Sequence, residues 1–149
     1  MQTITIAIAT DHRGFSLKES LKEVGGLGGY SVSWIDVGAF SEERSDYPEF
    51  AIKAVEAMKF GDADCAVLIC GTGVGMAIAA NRYHGIYAAL AWDLTTARLA
   101  KEDDHANVLV LPSDYISHEL AQDMVTAWLL AEFKKGRYAE RIKMIDAIR

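Results

Sequence analysis

The chain is poor in cysteine and proline, with two of each in 149 residues, and no apolar run is long enough to cross a bilayer. Cys65 and Cys70 are five residues apart, so on one strand their side chains point to opposite faces and a disulfide between them is not expected. Neither belongs to a CxxC pair and no histidines cluster beside them, so no metal site is expected. Lys and Arg form no run, and the formal net charge of -6 points away from nucleic acid as a partner. A small anionic substrate stays open, because the local field at a site decides that and the net charge does not. Residues 1–20 lack the basic, apolar and small-residue order of a signal peptide, so the cytoplasm is the expected compartment and no membrane partner is expected. Repeats, linkers and low-complexity segments are also missing, and residues 1–149 read as one domain.

What is present is 51% hydrophobic residues beside 24% charged ones, the balance of a globular chain with a sizeable core. Thr3 to Thr10 reads as a first strand ending at Asp11-His12-Arg13-Gly14, and Phe15, Leu17, Leu21 and Val24 mark a helix that Gly25-Gly26-Leu27-Gly28-Gly29 breaks. A second strand, Tyr30 to Val37, leads through the polar loop 38–48 to a helix opened by Pro48. A third strand ends at Cys70, and a short fourth runs from Gly85 to Ala91. A helix from about Asp93 to Glu102 follows with Asp93 as N-cap, then a loop over 103–107 and a fifth strand, Val108 to Leu111. The chain closes with a long helix from Ile116 to about Lys134 and a last one from Tyr138 to Ile148. The pattern predicts an α/β fold: a Rossmann-like three-layer sandwich with a five-stranded parallel sheet and a C-terminal helical extension. Ligands of such sheets sit outside the carboxyl ends of the strands. On that rule Asp11 and His12, the 38–48 loop, Cys70 to Gly75, and residues 103–105 collect into one candidate site.

Gly71, Gly73 and Gly75 stand at alternate positions between an apolar strand and a small-residue helix, so bare backbone N–H groups can approach an anion there. A dinucleotide fingerprint wants its third glycine at 76, where this chain has Met76, and a Walker A loop wants an absent Gly-Lys-Ser/Thr ending. Asp93 lies about where a ribose-binding acid is sought, which keeps a nucleotide-binding module as an alternative. Cys70, at the lip of this loop, is either a small buried hydrophobe or a reactive thiol, because a helix N-terminus favours the thiolate. Thr72 adds a hydroxyl two positions on, while Cys65 reads as core. His12 at a strand's carboxyl end reads as functional, and His84 and His118 as surface residues. Arg137 and Arg141, spaced i,i+4, either clamp a phosphate or form a solvated face paired with Glu140 or Glu132.

Several segments together resemble the sugar-phosphate isomerase family of ribose-5-phosphate isomerase B and the galactose-6-phosphate isomerase subunits. They are Ala9-Thr10-Asp11-His12-Arg13-Gly14-Phe15, Leu17-Lys18, Asp36-Val37-Gly38, Glu43-Arg44-Ser45-Asp46-Tyr47-Pro48 and Ile69-Cys70-Gly71-Thr72-Gly73-Val74-Gly75. Ala79-Ala80-Asn81, Asn107-Val108-Leu109 and Gly136-Arg137-Tyr138-Ala139-Glu140-Arg141 carry the likeness to the end of the chain. The resemblance implies an aldose–ketose isomerase of a phosphorylated pentose, free of metal and organic cofactor, acting as a homodimer or homotetramer with sites shared between subunits. It implies Cys70 as the base that moves a proton between C1 and C2, Thr72 as an aid to ring opening, and the amides from Gly71 through Gly73 and Val74 to Gly75 as the oxyanion cradle. Asp11 and Tyr47 would line the sugar, and His12, Arg137 and Arg141 would engage phosphate or its surroundings. A second branch of the family uses a glutamate base at the position of Met76, and methionine takes no proton.

Three positions depart from the family's usual pattern. Asp103-Asp104 stands where His-Asn is usual, and Asp114 where an arginine is common. The usual ring-opening histidine is thus replaced, leaving His105, two residues on, or Asp103 itself as acid/base, with Asp104 beside the substrate. The main expectation is interconversion of ribose 5-phosphate and ribulose 5-phosphate. The alternatives are the same chemistry on galactose 6-phosphate, allose 6-phosphate or another phosphosugar, and a non-catalytic sugar-phosphate or nucleotide sensor.

Overall fold

The computed structural model describes residues 1–149. In chain order it has β1 (Thr3–Thr10), α1 (Phe15–Lys22), β2 (Gly26–Leu27), β3 (Tyr30–Asp36), α2 (Tyr47–Lys59), β4 (Cys65–Cys70) and α3 (Val74–Ala80). There follow β5 (Ala88–Leu90), α4 (Leu94–Asp104), β6 (Val108–Pro112), α5 (His118–Leu130) and α6 (Arg137–Asp146). The sheet order is β2-β3-β1-β4-β6-β5, and every pairing is parallel except that of β2 with β3. The five expected parallel strands are all there, and the sheet has a sixth, β2, inside the glycine stretch that reads only as a helix break. Gly26 and Leu27 pair with Ser31 and Tyr30 across a turn made by left-handed Gly28 and Gly29. A two-residue strand is too short to show a period. No helix is long and apolar enough to cross a membrane.

The two faces of the sheet follow from residue alternation. Ile6, Ile8, Val67, Ile69, Leu109 and Leu111 point to one face, where α1, α4 and α5 bring Leu17, Leu21, Ala97, Met124 and Trp128. Ala7, Ala9, Ala66, Leu68, Val108 and Val110 point to the other, against Phe50, Ala54 and Val55 of α2 and Met76 of α3. Small side chains on this second face let α2 and α3 lie close to the sheet. Cys65 and Cys70 fall on opposite faces, as their spacing requires.

Two helix ends differ from expectation. α5 stops at Leu130 rather than near Lys134, because Ala131 turns extended and the Lys134 amide donates to the Glu102 carbonyl at 2.9 Å. That contact pins residues 131–136 to the end of α4. α4 runs to Asp104 rather than into a loop at 103, and His105 closes it in the left-handed conformation at φ 55°. At its start the expected cap is present: the Asp93 carboxylate accepts from the Thr96 amide at 2.8 Å.

Thr10, Asp11 and Lys18 are the buried polar side chains, and only Lys18 is a cation. The Lys18 side chain is fully buried on α1 and donates to Asp36 at 2.5 Å, and Lys22 reaches the same carboxylate at 2.6 Å. The other Asp36 oxygen accepts from the Gly38 amide at 2.9 Å. Gly38 and Ala39 in turn exchange backbone hydrogen bonds with Thr10, both at 2.8 Å, so this network sets where β1 ends and Asp11 begins. Burial opposes charge on Asp36, but the hydrogen bonds from Lys18, Lys22 and Gly38 outweigh it and hold its pKa below the usual carboxylate range. Asp36→Ala leaves the buried Lys18 ammonium with only the longer Glu19 contact at 3.4 Å and is expected to cost about 3 kcal/mol in a urea titration. A folded-state pKa below the unfolded value means this stabilisation is present above about pH 4 and lost as pH falls through the folded value. The stability gap between wild type and Asp36→Asn should therefore shrink in acid; a constant gap would contradict the assignment.

Candidate active site

From β1 the chain crosses to β3 on one side of the sheet, while β4 lies on the other side of β1. The switch point therefore falls between the carboxyl ends of β1 and β4, where sheets of this kind form their binding crevice. Asp11 follows β1, is buried, and accepts from the Arg13 amide at 2.9 Å to start the short 3-10 turn His12–Gly14. His12 is held from two sides by one residue: its amide donates to Ser45 Oγ at 3.1 Å, and its Nδ1 accepts from the Ser45 amide at 3.2 Å. With Nδ1 acting as acceptor, the proton of the neutral ring sits on Nε2 as a free donor.

Cys70 ends β4 and packs in the cluster under α2 and α3. The loop after it depends on missing side chains. A Cβ at Gly71 would fall 2.0 Å from Arg13 Cζ, and one at Gly75 would fall 2.5 Å from Tyr47 Cζ. Gly73 between them is left-handed at φ 78°, a conformation that glycine adopts without a Cβ clash. The amides of Gly71, Thr72 and Gly73 donate to no acceptor in the protein, and Thr72 Oγ1 accepts from the Val74 amide at 3.3 Å. Met76 is fully buried in the core beneath this loop. At the other end of β4, burial pushes the Cys65 thiol up to about 12, which keeps it protonated and unreactive.

The loop after β6 closes the crevice. Ser113 and Asp114 amides donate to the Cys70 and Gly71 carbonyls, each at 3.0 Å, and the Asp114 carboxylate pairs with the Arg13 guanidinium. Asp114 thus brings no uncompensated negative charge to the edge, and Arg13, which the residue pattern alone does not single out, stands against the Cys70 loop. The signal was a pair of opposite charges on two strand-end loops 101 residues apart, which carries no local pattern.

Asp103, Asp104 and His105 do not join this crevice within one chain, contrary to the strand-end expectation. Asp103 and Asp104 are the last turn of α4 and His105 caps it, so all three lie where β4 and β6 begin. His105 stacks on Phe133 with centroids 4.3 Å apart and lines a recess of about 270 Å³ with Lys101 and Cys65. Five strand rises separate that end of β4 from Cys70, roughly 16 Å. Arg137 and Arg141 belong to the same far edge: their guanidinium carbons lie 5.2 and 5.3 Å from the Tyr138 ring centroid, and Lys134 lies at 5.0 Å. Lys134 also pairs with Asp103 at 2.9 Å. Of the two alternatives for these arginines, pairing with Glu140 or Glu132 does not form, and Glu140 takes Lys143 at 3.3 Å. The Tyr138 phenol is held below its ordinary pKa, first by the Arg137 hydrogen bond and then by the charges of Lys134 and Arg137. Three cations around one ring, with Asp103 as carboxylate partner, leave a surplus of positive charge suited to a phosphate dianion. No group of three or more His, Cys, Asp or Glu side chains stands where a metal ion could be held.

The family model described as Ribose/Galactose Isomerase matches residues 6–145. The chain belongs to this family. Among its curated relatives, ribose-5-phosphate isomerase B of Escherichia coli (strain K12) is 41% identical over 143 residues, which cover 96% of this chain and 95% of that protein. The crystal structure of a ribose 5-phosphate isomerase from Thermotoga maritima superposes with a TM-score of 0.90 at 46% identity, covering 97% of this chain and 99% of that one. Ribose-5-phosphate isomerase B of Clostridium thermocellum gives a TM-score of 0.87 at 41% identity, over 96% and 95% of the two chains. For a member of the isomerase family, the bare backbone at Gly75 is the constraint most open to test. Gly75→Ala is expected to displace the Tyr47 ring and lower kcat/KM by at least about tenfold through misplacement of the loop, with Tyr47→Ala in the same chain restoring part of it. An unchanged kcat/KM in Gly75→Ala would show that the Tyr47 contact does not shape the site.

Proposed function

We propose that this chain is a cytoplasmic, single-domain aldose–ketose isomerase that interconverts ribose 5-phosphate and ribulose 5-phosphate with no metal or organic cofactor. The observation that carries the reading is Cys70 at the lip of a loop whose Gly71, Thr72 and Gly73 amides are free. A carbon acid beside a carbonyl needs a base on one side and preorganised donors on the other, and this loop supplies both. As thiolate, Cys70 takes the C2 proton of the open-chain aldose. The electron pair of that bond forms the C1–C2 double bond, and the carbonyl π pair moves to O1. The loop amides hold the enediolate oxygen. Cys70 then returns its proton to C1 while the O2 proton passes to O1, which gives the ketose. Asp11 and Tyr47 line the sugar, and His12 offers Nε2–H.

Phosphate capture is assigned to Arg137 and Arg141 at the far edge, and ring opening to His105 or Asp103 of that edge, beside Asp104, together with Thr72 of the Cys70 loop. Extended, a pentose phosphate spans no more than roughly 9 Å from C1 to phosphorus, so one molecule cannot reach both edges of one chain, which β4 holds roughly 16 Å apart. The active unit is therefore a homodimer or homotetramer in which one copy presents Cys70 and another presents Arg137 and Arg141.

Two measurements test this reading. Purified protein should isomerise ribose 5-phosphate faster than galactose 6-phosphate or allose 6-phosphate, and Cys70→Ser should keep its fold and ligand binding while kcat falls about a hundredfold or more. Full activity in Cys70→Ser would overturn the assigned base, and binding without turnover in the wild type would favour a sensor. Subunit exchange between Cys70→Ser protein and an Arg137→Ala/Arg141→Ala protein should restore up to about a quarter of wild-type activity, since half the dimers are mixed and each has one intact site. No recovery after demonstrated exchange would place both halves of the site in one chain.

A further inference from the structure

Arg13 is clamped at the reacting edge more firmly than a half-exposed arginine usually is. Its guanidinium lies on the bare backbone of Gly71, where a Cβ would come within 2.0 Å of Cζ and 2.3 Å of Nε and Nη2. Asp114 holds Nη2 by an ion pair. The turn that carries Asp114 is itself fastened to the Cys70 loop. The Ser113 amide donates to the Cys70 carbonyl and the Asp114 amide to the Gly71 carbonyl, both at 3.0 Å, and Ser113 Oγ donates to the Cys70 carbonyl at 3.2 Å and the Arg13 carbonyl at 3.4 Å. A guanidinium has five N–H donors, and in Arg13 the Nε and Nη1 hydrogens meet no acceptor in the protein. The side chain is 47% exposed, so a ligand in the crevice can reach them. The surrounding charges favour the cation: the hydrogen bond and charge of Asp114 raise its pKa most, with smaller pulls from Asp11 and Cys70.

We propose that Arg13 is a catalytic residue of the isomerase, its free guanidinium edge adding to the loop amides in holding the enediolate oxygen, and that Asp114 is its positioning residue. The proposal rests on the isomerase reading above. Isomerisation starts from a neutral carbonyl and places negative charge on its oxygen as the C2 proton leaves. A cation already fixed beside that oxygen needs no rearrangement at the moment of reaction, so its contribution is larger in the transition state than in the bound substrate. Such a group shows in kcat more than in KM.

The test is a double-mutant cycle on the full chain with ribose 5-phosphate as substrate. Arg13→Gln is expected to lower kcat at least about tenfold while KM moves less than about threefold. Arg13→Lys keeps the charge but loses the planar fork and should fall in between. Asp114→Asn should lower kcat severalfold when Arg13 is present and cause no further loss in the Arg13→Gln background, because Asp114 acts through Arg13. A phosphorylated four-carbon hydroxamate, whose anionic oxygens copy the enediolate, should lose affinity in Arg13→Gln by about the factor lost in kcat. Should Arg13→Gln melt well below wild type, Arg13→Lys and Asp114→Asn carry the kinetic comparison. Wild-type kcat in Arg13→Gln, or hydroxamate affinity unchanged by it, would overturn the role of Arg13. An equal loss from Asp114→Asn in both backgrounds would overturn that of Asp114. A wild-type protein that isomerises no sugar phosphate would sink the isomerase reading, and the role of Arg13 with it.

Discussion

The reacting edge of this protein depends on the two ends of its glycine loop, where a side chain lies directly on backbone that has no Cβ. At Gly71 the visitor is Arg13, and at Gly75 it is Tyr47. A Cβ at either glycine would push the Arg13 or Tyr47 side chain aside, so both contacts exist only while the two positions stay bare. The two contacts fix the loop from its two sides, and left-handed Gly73 turns it between them. The result is a run of amides without a protein acceptor at the end of a fully buried strand. Cys70 inherits its place from that strand, and the amides inherit theirs from the glycines.

A second constraint supports the first from behind. Lys18 ties α1 to Asp36 at the end of β3, and Asp36 ties down the Gly38 amide. Gly38 and Ala39 then pair with Thr10. The position of Asp11 is thus set by a buried ion pair that itself touches no substrate. The arrangement along the chain has the same logic: helices bury apolar stripes on both faces of the sheet, and at its carboxyl end buried charge keeps the loops in register.

Much of this was legible in the residues. The Ile/Ala alternation of β1 assigns its two faces, the five-residue spacing separates Cys65 from Cys70, and Asp93 caps α4 as its position suggests. Three features were not. Residues 103–105 read as a strand-end loop beside Cys70, whereas they are the end and cap of α4 and lie at the opposite edge. The end of α5 is decided by a contact between Lys134 and Glu102, which no window of local sequence contains. The Arg13–Asp114 pair joins two loops far apart in the chain, and its effect is to turn an apparent loss of a cation at 114 into the relocation of one.

The separation of the two edges also bears on how the protein comes into being. Each chain carries the thiol and the free amides at one end of β4, and the surplus of cations around Tyr138 beyond the other. If the two halves meet only across copies, a newly made chain folds without being able to act on any sugar. Catalysis then begins at assembly, and a sparse population of chains stays silent until its concentration lets partners meet.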